Sequence, residues 1–471
     1  MRKLSSWRRS AAVLCAVALV AAACGDGDDA ADEPADDATE DVADDDEVAD
    51  DDAADDEAAD DDAADDAPGE ILTARGVTDE PCPDAVNEDN GCIYLGHISD
   101  LTEGPFFPLA VEIQAAQENF FQRVNEDGGI AGYDISLIVR DNKYNPQEHV
   151  TVYEEIADDV LALAMTLGTP PTLAALDLMD EDDMVGLPAS WWSGWDHEQD
   201  DRGLVLSSGY SYCIESMIGL DWYAQEMGQP ETVMAIGYPG DYGGDSAAGA
   251  REWAEANDVE FLGFTQTAPN ALAGNQDAAV QAILQADPDV VTLGIGPLET
   301  GEIVAKAAAQ GYEGFFMGAV PTWNPALMGD EGVAAAMTAL YRHISFSETW
   351  DGQSPGHDAM RASLGGELPT NDAYVLGWFQ TYPIVALLEA AAANGDLTPA
   401  GVRAAIDGLT VEYEGGVPEK TFTGDGNADA QRTGVINAPD PDASLGLTAV
   451  TGFFDSPTAN AFEYTQACAD A

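Results

Sequence analysis

The sequence predicts an α/β protein of two lobes, each a parallel sheet covered by helices on both faces. Three observations carry this. From Gly91 onward short apolar runs alternate with helical patterns, which places a crossover helix between successive parallel strands. The foldable part, roughly 380 residues, is too long for one such core. No short-period repeat is visible, which sets aside solenoids and propellers.

The elements follow in chain order. Arg2, Lys3, Arg8 and Arg9 form a basic n-region, and Ala11 to Ala22 is too short and Ala-rich to span a bilayer stably. Residues 1–23 therefore read as a signal peptide; the residues after Arg8-Arg9 fit twin-arginine export poorly, which favours Sec. Ala21-Ala22-Ala23-Cys24 resembles a bacterial lipobox, with Ala21 where Leu is usual, and makes Cys24 a candidate lipidation site. Plain signal cleavage beside an incidental Cys is the alternative. Residues 24–70 read as a disordered acidic tether. Asp26 to Asp66 has no base, no aromatic residue and two Val, too little apolar surface to offset ordering entropy. Extended, it reaches at most about 140 Å at about 3.3 Å per residue. It serves as a stalk, as a solubilising spacer, or as both. Residues 71–90 form an N-terminal extension with a Cys loop.

In the folded part, strands are expected at Ile93–Ile98, Ile135–Val139, Leu161–Leu167 and Met184–Leu187. A second series is expected at Val233–Ile236, Glu260–Phe264, Val290–Gly294 and Phe315–Gly318. Pro108 to Asn125 reads as a helix burying Ile113, Ala116, Phe120 and Val124. Glu215–Met227, Ser246–Asn257, Asp277–Gln285 and Thr300–Gln310 read as further helices.

Charge excludes some partners. Of 88 acids the tract holds 24, and of 16 bases the leader holds four, which leaves 64 acids against 12 bases. Such a surface repels nucleic acid and anionic headgroups, so neither is expected as a partner. Apart from Cys15 and Cys24, four cysteines remain, and an even number in an exported chain argues for disulfides. Of three connectivities, Cys82–Cys92 with Cys213–Cys468 is preferred: one closes a short Pro/Asn/Gly loop, the other pins the C-terminal tail. No Cys/His spacing suggests a metal, and no cofactor is implied. No Gly-x-Ser-x-Gly elbow, His-Glu-x-x-His or Walker run appears, so the chain is read as not an enzyme.

Six motifs in order carry a family resemblance. Asn125-Glu126-Asp127-Gly128-Gly129-Ile130-Ala131-Gly132 resembles the Asn-x-x-Gly-Gly-Ile-x-Gly signature of type I periplasmic binding proteins, the leucine/isoleucine/valine-binding group. Asp241-Tyr242-Gly243 is similar to the family's Asp-x-Tyr-Gly, one residue shorter. Asp287-Pro288-Asp289-Val290-Val291 matches its Pro-Asp-Val strand, followed by Glu299 and Gly301. Asn371-Asp372-Ala373-Tyr374 and Gly424-Asp425-Gly426-Asn427 resemble the late Tyr helix and Gly-Asn turn. The resemblance covers about 91–454. It implies two Rossmann-like lobes joined by a three-strand hinge, with 91–204 and 332–439 in lobe 1 and 205–330 and 440–471 in lobe 2. Cys213 and Cys468 then share a lobe.

The resemblance also implies a ligand site between the lobes. Thr169 stands where relatives use Ser hydroxyls on a ligand carboxylate, with Pro170 and Pro171 lacking N–H groups. Ser193-Gly194-Trp195 overlays a Ser-Ala-Thr stretch completing that site, and Trp192 or Trp195 is expected to wall the cleft. Which of Trp191, Trp192 and Trp195 faces inward is left open. Tyr242 overlays a ring that closes over the ligand. Gly296 replaces a Tyr, and Val320 replaces the Glu that pairs with a ligand ammonium; Asp100, Glu103 and Glu299 are candidate substitutes. Trp323 adds an aromatic face. The implied function is capture of a small amino-acid-, amide- or aromatic-like molecule for an ABC permease. It would be carried out by a monomer lipid-anchored at the extracytoplasmic face of the cell membrane; a sensing module of the same fold is the alternative.

Overall fold

The computed structural model describes residues 71–470. The signal peptide, Cys24 and the acidic tether lie outside the described residues.

The first sheet has four parallel strands, β1 (Gly91–Ser99), β2 (Tyr133–Asp141), β3 (Ala162–Thr166) and β4 (Gly186–Pro188), in the order β2–β1–β3–β4. Val77–Thr78 pairs antiparallel with the start of β1. β1 is buried throughout except at Tyr94, as a central parallel strand covered on both faces must be. Helix α1 (Phe107–Glu126) starts at Pro108, where a missing N–H costs nothing, and buries Ile113, Ala116 and Phe120 as expected, with Val124 partly buried. Helices α2 (Pro146–Ile156) and α3 (Thr169–Glu181) pack against each other on the opposite face of the sheet.

The second half runs α4 (Tyr212–Glu226), β5 (Thr232–Gly237), α5 (Asp241–Ala256), β6 (Glu260–Gln266), α6 (Asp277–Ala286), β7 (Val290–Gly294), α7 (Pro297–Ala309), β8 (Phe315–Gly318), α8 (Glu331–Leu340) and β9 (Tyr341–Ser345). These five strands pair in parallel in the order β6–β5–β7–β8–β9. β10 (Thr433–Pro439) and β11 (Leu447–Asp455) then add antiparallel. The expected boundaries at 332 and 439 placed β9 and β10 in lobe 1; both hydrogen-bond within the second sheet instead. Backbone pairing of β9 with β8, and of β10 with β9, decides this, and apolar periodicity cannot report it.

Between β9 and β10 the chain returns to the first sheet as α9 (Pro355–Ser363), α10 (Ala373–Gln380) and α11 (Tyr382–Ala393), which pack on α1. A Cβ at Gly377 would lie 2.6 Å from the Ile113 Cα, so only glycine permits this approach. Phe120 meets Trp378 at 4.8 Å and Tyr382 at 4.7 Å, edge to face, pairs worth about 0.5–1.5 kcal/mol each beyond burial. Ala373–Ala393 is apolar enough to resemble a membrane span, yet 78% of its most apolar window is buried in this core.

The chain thus passes between the sheets three times: after β4, after β9 and before β10. These passages are tied together. The Trp191 Nε1–H donates to the Ser208 carbonyl (2.8 Å), the Tyr210 and Phe346 rings meet at 6.1 Å, and the Gln431 amide donates to the Phe346 carbonyl (3.2 Å). Both disulfides are formed, Cys82–Cys92 and Cys213–Cys468, the latter fastening the tail to α4.

Candidate functional site

The loops beyond the carboxyl ends of β3, β4, β5, β8 and β9 converge on a cleft with about 1030 Å³ of atom-free space, part of it open to solvent. Strand ends flanking an order reversal leave such a crevice in open α/β sheets. From the first sheet come Phe106, Leu109, Tyr144, Leu167 and Trp191; from the second come Tyr212, Tyr242, Val320 and Trp323. Trp350, Val375 and Leu376 close another side. Gly168 opens α3 at φ 93°, and a Cβ there would lie 2.5 Å from the Tyr144 ring, so glycine preserves this wall.

Of the expected site residues, Tyr242, Val320 and Trp323 line the cleft. The Tyr242 hydroxyl donates to the Ile295 carbonyl (2.9 Å) and its ring lies 4.6 Å from Tyr212. Trp323 donates to the Leu445 carbonyl (3.3 Å). The rest are placed elsewhere. Trp192 and Trp195 meet edge to face at 5.1 Å and pack with Val205 and Ala467, away from the cleft; Trp192 donates to the Ala469 carbonyl (2.8 Å). The disulfide-pinned tail is the apolar partner they bury against, and Trp191 faces the cleft instead. Gly194 carries the close turn between them, since a Cβ there would lie 2.3 Å from the Trp192 ring. Gly296 is backed by Tyr238 and Glu299, and its Cβ would lie 2.9 Å from the Tyr238 hydroxyl, leaving no room for a tyrosine.

Thr169 and Ser193 are buried, and their hydroxyls hold carboxylates of this chain itself. The Trp195 Nε1–H can only donate, and it donates to Ser190 Oγ (2.9 Å). The Ser190 hydroxyl then donates to Thr169 Oγ1 (2.5 Å), and Thr169 donates to the Asp241 carboxylate. Three residues after Ser190, the Ser193 N–H (2.9 Å) and hydroxyl (2.6 Å) both donate to Asp245. The expected anion site is therefore engaged by Asp241 and Asp245, both on α5. Burial pushes both carboxyls up, Asp245 to about 8, against the lowering effect of the Ser193 and Thr169 donors. Sequence reasoning had no signal for this, because the contacts join residues 52 and 72 positions apart.

The candidate partners for an ammonium are also engaged. Asp100 accepts from the Gly104 and Phe106 N–H groups, Glu103 pairs with Lys143 at 2.8 Å, and Glu299 accepts from the Tyr238 hydroxyl and the Asn270 N–H. Behind Val320 lies Glu215, 1% exposed, which accepts the Val320 N–H (2.8 Å) and the Tyr210 hydroxyl (3.2 Å). Burial pushes its carboxyl up to about 8.

His343 on β9, Asn437 on β10 and Asp372 at the start of α10 bring polar side chains to the cleft. His343 Nε2 lies 3.1 Å from the Val320 carbonyl, an acceptor, so Nε2 carries the proton. Burial holds the imidazole neutral, its pKa lowered to about 4. Nδ1 is then an acceptor, and it takes the Asn437 Nδ2–H (3.4 Å). This orients the Asn437 amide and leaves its Oδ1 with no partner. Asp372 Oδ1 is likewise shielded and without a partner, and burial pushes this carboxyl up to about 7. Among the described residues that line the cleft there is no Lys or Arg. Among the described residues no three of His, Cys, Asp and Glu gather as a metal site requires.

A family model described as periplasmic binding protein matches residues 93–436. None of the curated proteins matches the sequence. Among solved structures, the chain is similar to a fatty acid ABC transporter substrate-binding protein from Thermomonospora curvata, at 24% identity and TM-score 0.74, over 83% of this chain and 97% of that one. It is similar to an ABC transporter substrate-binding protein from Aeropyrum pernix, at 20% identity and TM-score 0.68, over 78% and 98%. A branched-chain amino acid ABC transporter structure from Thermus thermophilus with bound valine aligns at 18% identity and TM-score 0.68, over 79% and 98%.

Proposed function

The chain belongs to the periplasmic binding protein family, and we propose that it captures a small solute in the cleft between its two sheets and delivers it to an ABC permease. Its two lobes are those carrying the first and second sheets, hinged at the three passages, and Cys24 anchors it by lipid at the extracytoplasmic face of the membrane. The observation that carries the reading is the cleft itself, walled by aromatic and aliphatic side chains from both sheets and holding a few buried polar groups, as small-molecule sites are. The ligand has an apolar body. The similar protein from Thermomonospora curvata is named for fatty acid, whose alkyl chain such walls would suit. A free amino acid fits poorly: Thr169 is engaged by Asp241, Ser193 by Asp245 and Ser190 by Thr169, and Val320 offers no carboxylate to an ammonium.

A thermal-shift screen over apolar solutes tests the reading, because a ligand specific to the folded state raises the melting temperature by mass action. The expected hit also changes tryptophan fluorescence, loses affinity in Trp191→Ala and stimulates the ATPase of its permease in proteoliposomes. A hit whose affinity is unaffected by Trp191→Ala and Trp323→Ala would place the site outside this cleft. Release of Cys24→Ser protein into the medium tests the anchor; unchanged retention with normal processing would remove it.

A further inference from the structure

On the solute-capture reading, we propose that the ligand is an apolar amine, its ammonium group held by the Asp372 carboxylate and the Asn437 Oδ1. Both residues line the cleft, and each carries a shielded oxygen without a partner, which is costly until a donor arrives. Asn437 is 0% exposed, and its orientation is set by the His343 tautomer rather than by choice of fit. The site asks for donors.

The charge of the cleft asks for a cation. Its ionisable lining consists of Asp241, Glu348, Asp351 and Asp372, with neutral His343 and no basic residue among the described ones. Asp241 is engaged by Thr169 and Asp351 accepts from the Ser444 hydroxyl (2.7 Å); of the two half-buried lining carboxylates that remain, Glu348 and Asp372, it is Asp372 that carries a shielded oxygen without a partner. A ligand carboxylate would enter a negative cavity with its family anchor already filled by Asp241 and Asp245. The Asp372 charge helps to raise the Tyr341 hydroxyl, and the Tyr341 ring stacks with Trp323, which lines the cleft. Aromatic faces beside a carboxylate favour an organic cation.

The experiment is calorimetry on the full chain with two matched sets: hexylammonium, hexanol and hexanoate, and 2-phenylethylammonium, 2-phenylethanol and 3-phenylpropanoate. In at least one set the ammonium should bind about tenfold or more tighter than the alcohol, and the carboxylate weakest, as a charge-assisted contact requires. Asp372→Asn should lower the ammonium's affinity to about that of the alcohol, erasing the preference. Should that variant fail to fold, the wild-type ranking alone decides. Binding of an alcohol or a carboxylate as tight as the ammonium, or an ammonium affinity untouched by Asp372→Asn, overturns the inference and leaves solute capture standing. Silence from all six probes, with the protein folded, counts against the cleft as a capture site and removes both.

Discussion

Glu215→Gln is expected to stabilise the protein at alkaline pH and to flatten part of its pH dependence. Glu215 sits beneath the cleft wall, holding the Val320 N–H and the Tyr210 hydroxyl, with Oε2 buried and unpaired. Burial raises its pKa from 4.5 to about 8. The folded protein therefore keeps a proton that the unfolded chain releases. Stability from this group is fully present below the unfolded value and is lost as pH rises toward 8. At about 1.4 kcal/mol per pKa unit the whole shift corresponds to about 4–5 kcal/mol, of which about 3–4 kcal/mol falls between about pH 5 and pH 8. Glutamine keeps the volume and one acceptor oxygen and does not ionise. The buried histidines His97, His149, His343 and His357, lowered to about 4, act with the opposite sign below about pH 6.5, but they are common to both proteins and cancel in the difference. The assay is denaturant and thermal unfolding of both proteins at half-unit pH steps. The gap between variant and wild type should widen with pH. A gap constant from about pH 5 to 8 would show that Glu215 does not hold a proton in the folded state, and the account of the wall behind Val320 would fail.

Trp191→Ala should weaken solute binding by about 1–3 kcal/mol in calorimetry, whereas Trp192→Ala and Trp195→Ala should lower the melting temperature with affinity retained, because they pack on the tail. Replacing Cys213 and Cys468 together by Ser should cost about 2–4 kcal/mol and expose the tail to proteolysis; non-reducing peptide maps of the native chain should link these two residues and no other pair across Cys82 and Cys92. Val320→Glu should not confer leucine binding, since Asp241 and Asp245 still occupy the anion pole; a leucine titration with clear saturation would contradict that.

Much of the scaffold was legible in the chain. The runs at Val290–Gly294 and Phe315–Gly318 are strands over the same residues, and the helices expected from 108 to 310 begin within a turn or so of their observed starts. The Gly-Gly-Ile and Pro-Asp-Val motifs are local turn and strand signals, readable because backbone reversal and apolar periodicity act over a few residues. The short loop between Cys82 and Cys92 and a lobe shared by Cys213 and Cys468 favour the disulfide pairing, and both bonds are formed. The cleft lining was much less legible. The positions of Tyr242, Val320 and Trp323 came through motif spacing, but Trp192 and Trp195 were read inward where Trp191 faces the cleft. In a short loop, the side a ring faces is set by what can cover it, and here the cover is a tail some 270 residues later. The antiparallel register of β10 on β9, which sets Asn437 beside His343, has no local signature either. Sequence by itself determined the alternation and the family, because those are written in neighbouring residues. Tertiary structure alone decided that Asp241 and Asp245 fill the anion site and that Asp372 Oδ1 and Asn437 Oδ1 are left without partners, because hydrogen-bond partners are chosen by distance in space.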